Sequence, residues 1–507
     1  MRMLTEFWAS LPRRGFWSGS LIAATFGAIG AAALPPLHLI PVLFLVIPGL
    51  LALLGDKSGW RTGLRLGWWF GFGHHLFGLY WITEAILVEA ARFWWFVPIA
   101  VPALAAFEAL FIAPAVAAAG RVPPGWRRGL VLGGAWTLGD LARQFVLTGF
   151  PWNPWGSVWA IPGGAGDLLL QPATLVGVHG MTLATIWLAS APTMARAGRW
   201  SAVALMIAWV GYGALRLAQP ENAPSGQKVA LVQGNIPQGE KWERTRALRI
   251  FAHYLDLTRQ GIARAGGNAV AVWPESASPF LLDSDPEARA LIAEAAGGNI
   301  VLAGADRFGP DRRPRNSMIA IGGNGDILGF YDKWHLVPFG EFQPDWVPLP
   351  VQIVPGGGFA PGAGPRTFHL PGLPPFGVLI CYEAIFPAEM LDRADRPAWL
   401  INITNDAWFG NSSGPRQHLA AARIRAVEEG VPVFRAANTG ITAGFDAKGR
   451  ELGRLQLGET GVLVLTLPAP ELPGLFARFG LWISSLLAMV VLALGYFRMP
   501  VLGRQSV

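Results

Sequence analysis

The chain has 507 residues, of which 52% are hydrophobic and only 14% charged, with 23 tryptophans. That balance excludes an ordinary soluble protein and requires part of the chain to sit in lipid. The formal net charge of +7 is spread as single or paired Arg and Lys beside apolar runs, a pattern of membrane topology signals and not of a nucleic-acid surface.

From the start to Gln219 apolar stretches follow one another at about 16–34, 37–54, 63–83, 94–119, 127–147, 173–195 and 200–218, and another lies near 479–498. Each approaches the ~20 residues a helix needs to cross a bilayer, which predicts an α-helical transmembrane bundle of about eight spans. The polar joints alternate. Arg2, Arg13 and Arg14 precede the first stretch, Lys57, Arg61 and Arg65 fall after the second, Arg121, Arg127 and Arg128 after the fourth, and Arg196 and Arg199 after the sixth. The other joints carry little positive charge, chiefly Arg92 and Arg143. By the positive-inside rule both termini face the cytoplasm, and everything between the seventh and eighth stretches faces outward. The first stretch, despite Ala31 to Ala33, is too long for the apolar part of a signal peptide and reads as an uncleaved helix. His74 and His75 lie in an apolar segment, where packing or an interfacial position is expected. The eight histidines show no metal-ligand spacing. The outward loop with Trp152, Trp155 and Trp159 reads either as a headgroup belt or as a lipid-facing wall of a site.

A linker by composition, 220–226, separates this region from one of different character. Short β-rich runs at 229–233, 269–273, 300–303, 318–321, 327–332, 376–381, 399–404, 433–437, 441–445 and 462–465 alternate with helical patterns at 244–265, 286–296 and 416–429. Such alternation predicts an α/β domain with helix-covered sheets. The expected division is therefore 1–220 for the first seven membrane helices, 221–470 for the α/β domain, and 471–507 for the last helix and a cytoplasmic tail.

Within that domain the run Gly377-Val-Leu-Ile-Cys-Tyr-Glu-Ala-Ile-Phe-Pro387 delivers Cys381, the only cysteine, to a predicted strand end. A lone cysteine is either inert core filler or a chemical group. To act as a nucleophile it needs a base and a cation, because little free thiol is ionised near neutral pH. Two other strand ends supply candidates. Trp273-Pro274-Glu275 ends one in a carboxylate, and Tyr331-Asp332-Lys333 ends another in an ammonium flanked by aromatics. The polar run from Asn402 to Gly410 follows a further strand and reads as a pocket-shaping loop, or as Asx-turn capping.

Taken together, Trp273-Pro-Glu275, Lys333-Trp-His-Leu-Val-Pro-Phe-Gly-Glu341 and Cys381-Tyr-Glu383 resemble the Glu-Lys-Cys motifs of the nitrilase superfamily. With membrane stretches before and after, nearly the whole chain resembles the membrane-embedded branch of that superfamily, the apolipoprotein N-acyltransferase family. The runs Gln233 to Gln238, Asn402 to His418 and Arg435 to Thr442 resemble it too, and Ala384 departs from it only in side-chain size. The resemblance implies an αββα nitrilase-like sandwich on a helical membrane base. It implies transfer of a fatty acyl chain from a membrane phospholipid, of phosphatidylethanolamine type, to the N-terminal amine of a diacylglyceryl-cysteine apolipoprotein. Cys381 is then the nucleophile, Glu275 the general base and later acid, and Lys333 the stabiliser of the tetrahedral intermediate. Glu341 is the supporting carboxylate, the Tyr382 N–H completes the oxyanion site with Glu383 behind it, and Trp242 contacts substrate at the pocket mouth. No cofactor, metal or nucleic acid is implied, and a monomer in the bacterial inner membrane with a periplasmic catalytic face is expected.

A thioester intermediate would conserve the reactivity of the acyl ester, so the transfer needs no ATP. Two other readings are a membrane-tethered amidase or nitrilase, and a non-catalytic lipid-binding or transport protein. The first has no use for so many spans. The second has no use for Glu275, Lys333 and Cys381, and transport pathways usually place more charge in their spans. The Pro- and Gly-rich stretch 343–365 is a candidate flap.

Overall fold

Uninterrupted apolar runs fold as helices because a helix pairs its own backbone groups and needs no water to do so. The computed structural model describes residues 8, 11, 15–56, 58–88, 90–220, 223–239, 244–344 and 358–497. Its N-terminal region comprises α1 (Phe16–Ala31), α2 (Leu43–Leu53), α3 (Trp60–Gly78), α4 (Val97–Gly120), α5 (Trp126–Phe145), α6 (Ala173–Ser190) and α7 (Arg196–Leu217) with short connecting helices. Three helical runs, Ala90–Gly120, Ala173–Thr193 and Arg196–Leu217, are long and apolar enough to cross a membrane. The expected stretches at 94–119, 173–195 and 200–218 fall on these. Those at 16–34, 37–54 and 479–498 fall on the shorter apolar helices Phe16–Ala31, Ile40–Leu53 and Leu481–Tyr496. The remaining two fall on α3 and α5, which carry charged side chains.

Small residues set how closely these helices approach. Gly63, Gly67 and Gly71 line one edge of α3, and a Cβ on them would lie 2.5, 2.9 and 2.9 Å from the Cα atoms of Ala117, Ala113 and Ala109 on α4. The four-residue spacing on both helices is the small-residue stripe by which membrane helices gain dispersion contact without a hydrophobic driving force. Large apolar side chains such as Trp17, Ile207, Leu215 and Trp482 point outward, as a lipid-facing surface requires.

The second region holds two six-stranded sheets. The first contains β1 (Lys228–Gln233), β2 (Ala269–Val272), β3 (Val301–Phe308), β4 (Pro314–Ile321), β5 (Ile327–Asp332) and, from the end of the domain, β12 (Gly461–Thr466), in the order β12-β1-β2-β3-β4-β5. The second contains β6 (Thr367–Phe368), β7 (Phe376–Ile380), β8 (Trp399–Thr404), β9 (Val433–Ala437), β10 (Thr442–Phe445) and β11 (Glu451–Leu455), in the order β11-β10-β9-β8-β7-β6. Each sheet has a parallel trio at its centre, β1-β2-β3 and β7-β8-β9, with antiparallel strands outside it. Alternate residues face opposite ways along a strand. Val229, Leu231, Val270 and Val272 therefore meet Val378, Ile380, Ile401 and Ile403 between the sheets, while Ala230, Val232, Ala271 and Trp273 face α8 (Ala247–Arg264) and α9 (Pro286–Ala295). The second sheet is covered by α10 (Gly414–Glu429), which completes the expected αββα layering. The sequence did not signal β6 or β11, one of them two residues long and the other largely exposed.

Helix α10 is buried on nearly every side. Leu419, Ala422 and Ala426 pack on the sheet, whereas Ala420, Ile424 and Val427 pack into the membrane helices. The chain ends, among the described residues, in α11 (Leu481–Tyr496), which returns to the bundle.

Two expectations are corrected here. Trp152, Trp155 and Trp159 form no headgroup belt: they are 3%, 1% and 6% exposed, packed in the bundle and its seam with the α/β domain. Indole suits a protein seam as well as a membrane surface, so its sequence position alone does not distinguish them. The spans are also less free of charge than expected, because Glu108, Asp140 and Arg143 are buried together. Arg143 lies 3.3 Å from Glu108 and 3.0 Å from Asp140, on a helix and not in a joint. Pairing makes such burial affordable in a bundle interior.

Candidate active site

The strands that carry the candidate residues run in one direction, because β5 is antiparallel to β4 and β4 to β3, and β2 is parallel to β3. Glu275 and Lys333 thus follow the C-terminal ends of two strands in one sheet, while Cys381 and Asn405 follow those of β7 and β8 in the other. The sandwich brings these ends together. Gly304 of β3 allows the Glu275 turn to lie against it, since a Cβ there would sit 2.0 Å from the Pro274 oxygen.

Lys333 is 1% exposed, with Nζ 2.8 and 2.9 Å from the two oxygens of Glu341 and 3.4 Å from Glu275 Oε1. Asn316 bridges the two carboxylates, its Nδ2 donating to Glu275 Oε1 at 2.7 Å and to Glu341 Oε1 at 2.9 Å. Backbone N–H groups complete the arrangement: Asn405 donates to Glu275 Oε2 at 2.8 Å, and Val337 to Glu341 Oε2 at 2.8 Å. Burial disfavours the Lys333 ammonium, but the charges of Glu341 and Glu275 outweigh it and hold the cation well above the usual lysine range.

Cys381 is buried with φ of +50°, a left-handed backbone that a non-glycine residue adopts only when its surroundings hold it there. Burial pushes its thiol up, and the Glu275 carboxylate and Asp406 push the same way. The Lys333 cation and a hydrogen bond from Thr404 oppose them in part. The resting side chain is thus a thiol, and an attack by it would need a proton acceptor. The lysine cation and the glutamate carboxylate are both near enough for their charges to act on the sulfur.

Glu383 is fully buried between the two strand ends. Its Oε1 accepts from Tyr331 Oη at 2.9 Å and from the Trp334 and His335 N–H groups at 2.9 and 3.3 Å, and its Oε2 accepts from Ile380 N at 2.7 Å. One carboxylate therefore ties the lysine-bearing end of β5 to the cysteine-bearing end of β7. Burial outweighs the backbone N–H groups of Ile380 and Trp334 and pushes its carboxyl to about 7.

The carbonyl of Cys381 lies 2.9 Å from His418 Nε2, and Nδ1 of the same ring lies 2.9 Å from Asp406 Oδ1. Arg435, fully buried, reaches Asp406 Oδ2 and Asn402 Oδ1, each at 2.5 Å. Burial raises the Asp406 carboxyl, but Arg435 and His418 overrule it and hold it well below the usual range. Asn316, Asp406, His418 and Arg435 had no assigned role in the sequence. Asn316 lies on the part of β4 that precedes the expected run 318–321.

Tyr382 Oη donates to the Gly149 carbonyl at 2.8 Å, joining the residue after Cys381 to the helical N-terminal region. Trp242 lies outside the described residues. So do 345–357 of the expected flap; of its described end, Gly362 N donates to the Lys333 carbonyl at 2.9 Å and Phe359 N to that of Glu341 at 2.8 Å. Among the described residues no group of three or more His, Cys, Asp or Glu side chains is placed to hold a metal ion.

Residues 228–472 match the family model of the carbon-nitrogen hydrolases, and residues 26–191 match that of the apolipoprotein N-acyltransferase N-terminal domain. The apolipoprotein N-acyltransferase of Rhodopseudomonas palustris is 39% identical over 518 residues, covering 95% of this chain and 95% of that protein. The chain belongs to the apolipoprotein N-acyltransferase family. The family member of Bradyrhizobium diazoefficiens is 38% identical over 500 residues, covering 92% of each chain. Among solved structures, a nitrilase-superfamily amidase from Nesterenkonia overlaps 49% of this chain and 94% of its own at a TM-score of 0.36 and 17% identity. A nitrilase-superfamily protein of Saccharomyces cerevisiae overlaps 49% and 93% at a TM-score of 0.38 and 18% identity.

Proposed function

We propose that this member of the apolipoprotein N-acyltransferase family moves a fatty acyl chain from a phospholipid to the α-amine of a diacylglyceryl-cysteine apolipoprotein through a thioester on Cys381. Family membership makes it an acyltransferase of lipoprotein maturation; the donor, the intermediate and the residue roles are our reading. The observation that supports the reading is geometric: Lys333 Nζ lies 2.8 Å from Glu341 and 3.4 Å from Glu275 at the strand ends of one sheet, and Cys381 follows a strand end of the facing sheet in a left-handed backbone with φ of +50°.

In the first half-reaction Glu275 takes the thiol proton as sulfur attacks the ester carbonyl, and the new oxyanion is stabilised by the Lys333 ammonium and the Tyr382 N–H. Collapse breaks the ester C–O bond, and Glu275 returns the proton to the departing lysophospholipid alcohol. In the second, the neutral amine attacks the thioester, Glu275 accepts its proton, and the amide leaves as the proton passes back to sulfur. Glu341 keeps Lys333 charged and aimed, and Trp242 contacts substrate at the mouth. The order is ping-pong, with both lipid-anchored substrates visiting one site.

Membrane residence serves this chemistry because neither substrate leaves the bilayer readily. We take 1–220 and 471–507 as a membrane base of about eight spans, with shorter helices completed by flanking turns. The domain 221–470 then stands on the periplasmic face of the inner membrane, both termini are cytoplasmic, and the enzyme acts as a monomer. Incubating the purified protein with phosphatidylethanolamine alone tests the reading by intact mass. One hydroxylamine-labile acyl adduct on Cys381 is expected, and its absence, or an adduct elsewhere, sinks the thioester route.

A further inference from the structure

Two side chains that flank the proposed reacting residues reach down to one short stretch of the membrane base, and a side chain beside that stretch reaches back. His335, two residues after Lys333, places Nε2 2.9 Å from the Thr148 carbonyl. Tyr382, next to Cys381, donates to the Gly149 carbonyl. The segment that closes the cysteine turn, Pro387 to Glu389, is held by Gln144, near the end of α5.

Gln144 is 1% exposed, and its amide is fully used. Nε2 donates to the Pro387 carbonyl at 3.0 Å and to the Glu389 carboxylate, while Oε1 lies 3.2 Å from His179 Nε2 on α6. Two N–H donors and a carbonyl thus join two membrane helices to both sides of Ala388, whose φ is +64°. Cys381 and Ala388, at the two ends of one turn, both carry backbone strain, and such strain persists only where contacts over-determine it. The stretch that receives these contacts is equally constrained. Gly149 has φ of +76°, and a Cβ there would lie 2.0 Å from the Gln144 carbonyl oxygen and 3.1 Å from the Phe386 ring.

We infer that Gln144 is a positioning residue for acyl transfer: the membrane base, through its amide, sets where the Cys381 turn stands relative to Glu275 and Lys333. The inference rests on the thioester reading above. It gives the base a part in the chemistry beyond anchoring, since displacement of a reacting atom by ~1 Å costs about 10²-fold in rate.

The test uses the full-length protein, rapid-quench intact mass and phosphatidylethanolamine vesicles over a range of concentrations. For Gln144→Leu the saturating rate of adduct formation on Cys381 should fall about 10²-fold, with the half-saturating phospholipid and the final acylated fraction unchanged. A residue that only supports folding would instead lower the acylated fraction and leave the rate of the surviving molecules intact. That result, or a wild-type rate, overturns the inference. Should Gln144→Leu not fold, the exchanged pair decides. Gln144→Glu brings a carboxylate to Glu389, and adding Glu389→Gln should recover about tenfold of the lost rate; no recovery overturns the inference. Absence of any adduct on the wild-type protein would mark failure of the thioester reading itself, whereas adducts at wild-type speed in the variants would mark failure of this inference alone.

Discussion

In the proposed reaction Glu275 acts on the cysteine in two opposite ways. Its charge helps keep the resting thiol protonated, yet as the proposed base it takes that proton when an ester carbonyl arrives. Glu275→Gln should therefore lower acyl transfer by about 10²- to 10⁴-fold while making the free thiol easier to ionise, because the opposing Lys333 charge remains. Iodoacetamide labelling of Cys381 followed against pH should show its half-maximal rate moved to lower pH. A shift upward would remove Glu275 from the thiol's surroundings. Asn316 makes a different kind of contribution, bridging two carboxylates that share one lysine. Asn316→Ala removes two charged hydrogen bonds, each worth about 1.5–3 kcal/mol, and a drop in thermal midpoint together with slower adduct formation is expected. The strand-end positions of the proposed trio were legible in the sequence because each member follows a strand. Asn316 was not, since the expected strand began at 318 and the observed one begins at Pro314, so its inward position emerged only with the structure.

Strand ends and helix edges show how the site is held. Glu383 takes hydrogen bonds from two sheets at once, so Glu383→Gln turns an acceptor into a donor facing a backbone N–H. A loss of at least about tenfold in adduct formation is expected, with Cys381 still present and alkylatable; wild-type kinetics would show that the two strand ends need no such tie. In the bundle, α3 and α4 touch backbone to backbone along Gly63, Gly67 and Gly71. Gly67→Leu must push them apart, costing about 1–3 kcal/mol or more, and should lower the thermal midpoint in detergent; an unchanged midpoint would deny the close packing. The four-residue repeat of small residues is visible in the sequence. Which face it lines, and against which partner, depends on how the helices cross.

Two bodies of different solvent preference meet across a seam that is both aromatic and charged. Trp152 Nε1 and Asn153 Nδ2 share the Gln417 side-chain oxygen at 2.9 and 3.0 Å, and Arg423 pairs with Asp167 at 2.7 Å. Glu428 of α10 accepts from Val178 N at 2.6 Å, where α6 breaks at Gly177, and it pairs with Arg425 at 2.8 Å. Burial nevertheless pushes the Glu428 carboxyl to about 7, from an ordinary value of 4.5. Between those values the folded chain keeps a proton that the unfolded chain has released, so this group makes stability fall as pH rises from about 4.5 to about 7, then level off. Glu428→Gln should flatten the fall of the thermal midpoint measured from pH 5 to 8. Glu383, raised to a similar value, leaves part of the slope in place. A steeper slope in the variant would contradict the assignment.

Periodicity and composition by themselves determined the two-part plan. Apolar runs of bilayer length demand helices, and short alternating runs between helical patterns demand covered sheets, whatever their neighbours. The same is true of the sites for Glu275, Lys333 and Cys381, because a strand end is a local event. Tertiary structure alone decided that α10 is buried on both faces, that the tryptophans pack in the bundle and its seam and not in a headgroup belt, and that Asp406, His418 and Arg435 stand behind Cys381. Those facts depend on which surfaces meet between residues from a dozen to hundreds of positions apart, and no local pattern encodes the far side of such a contact.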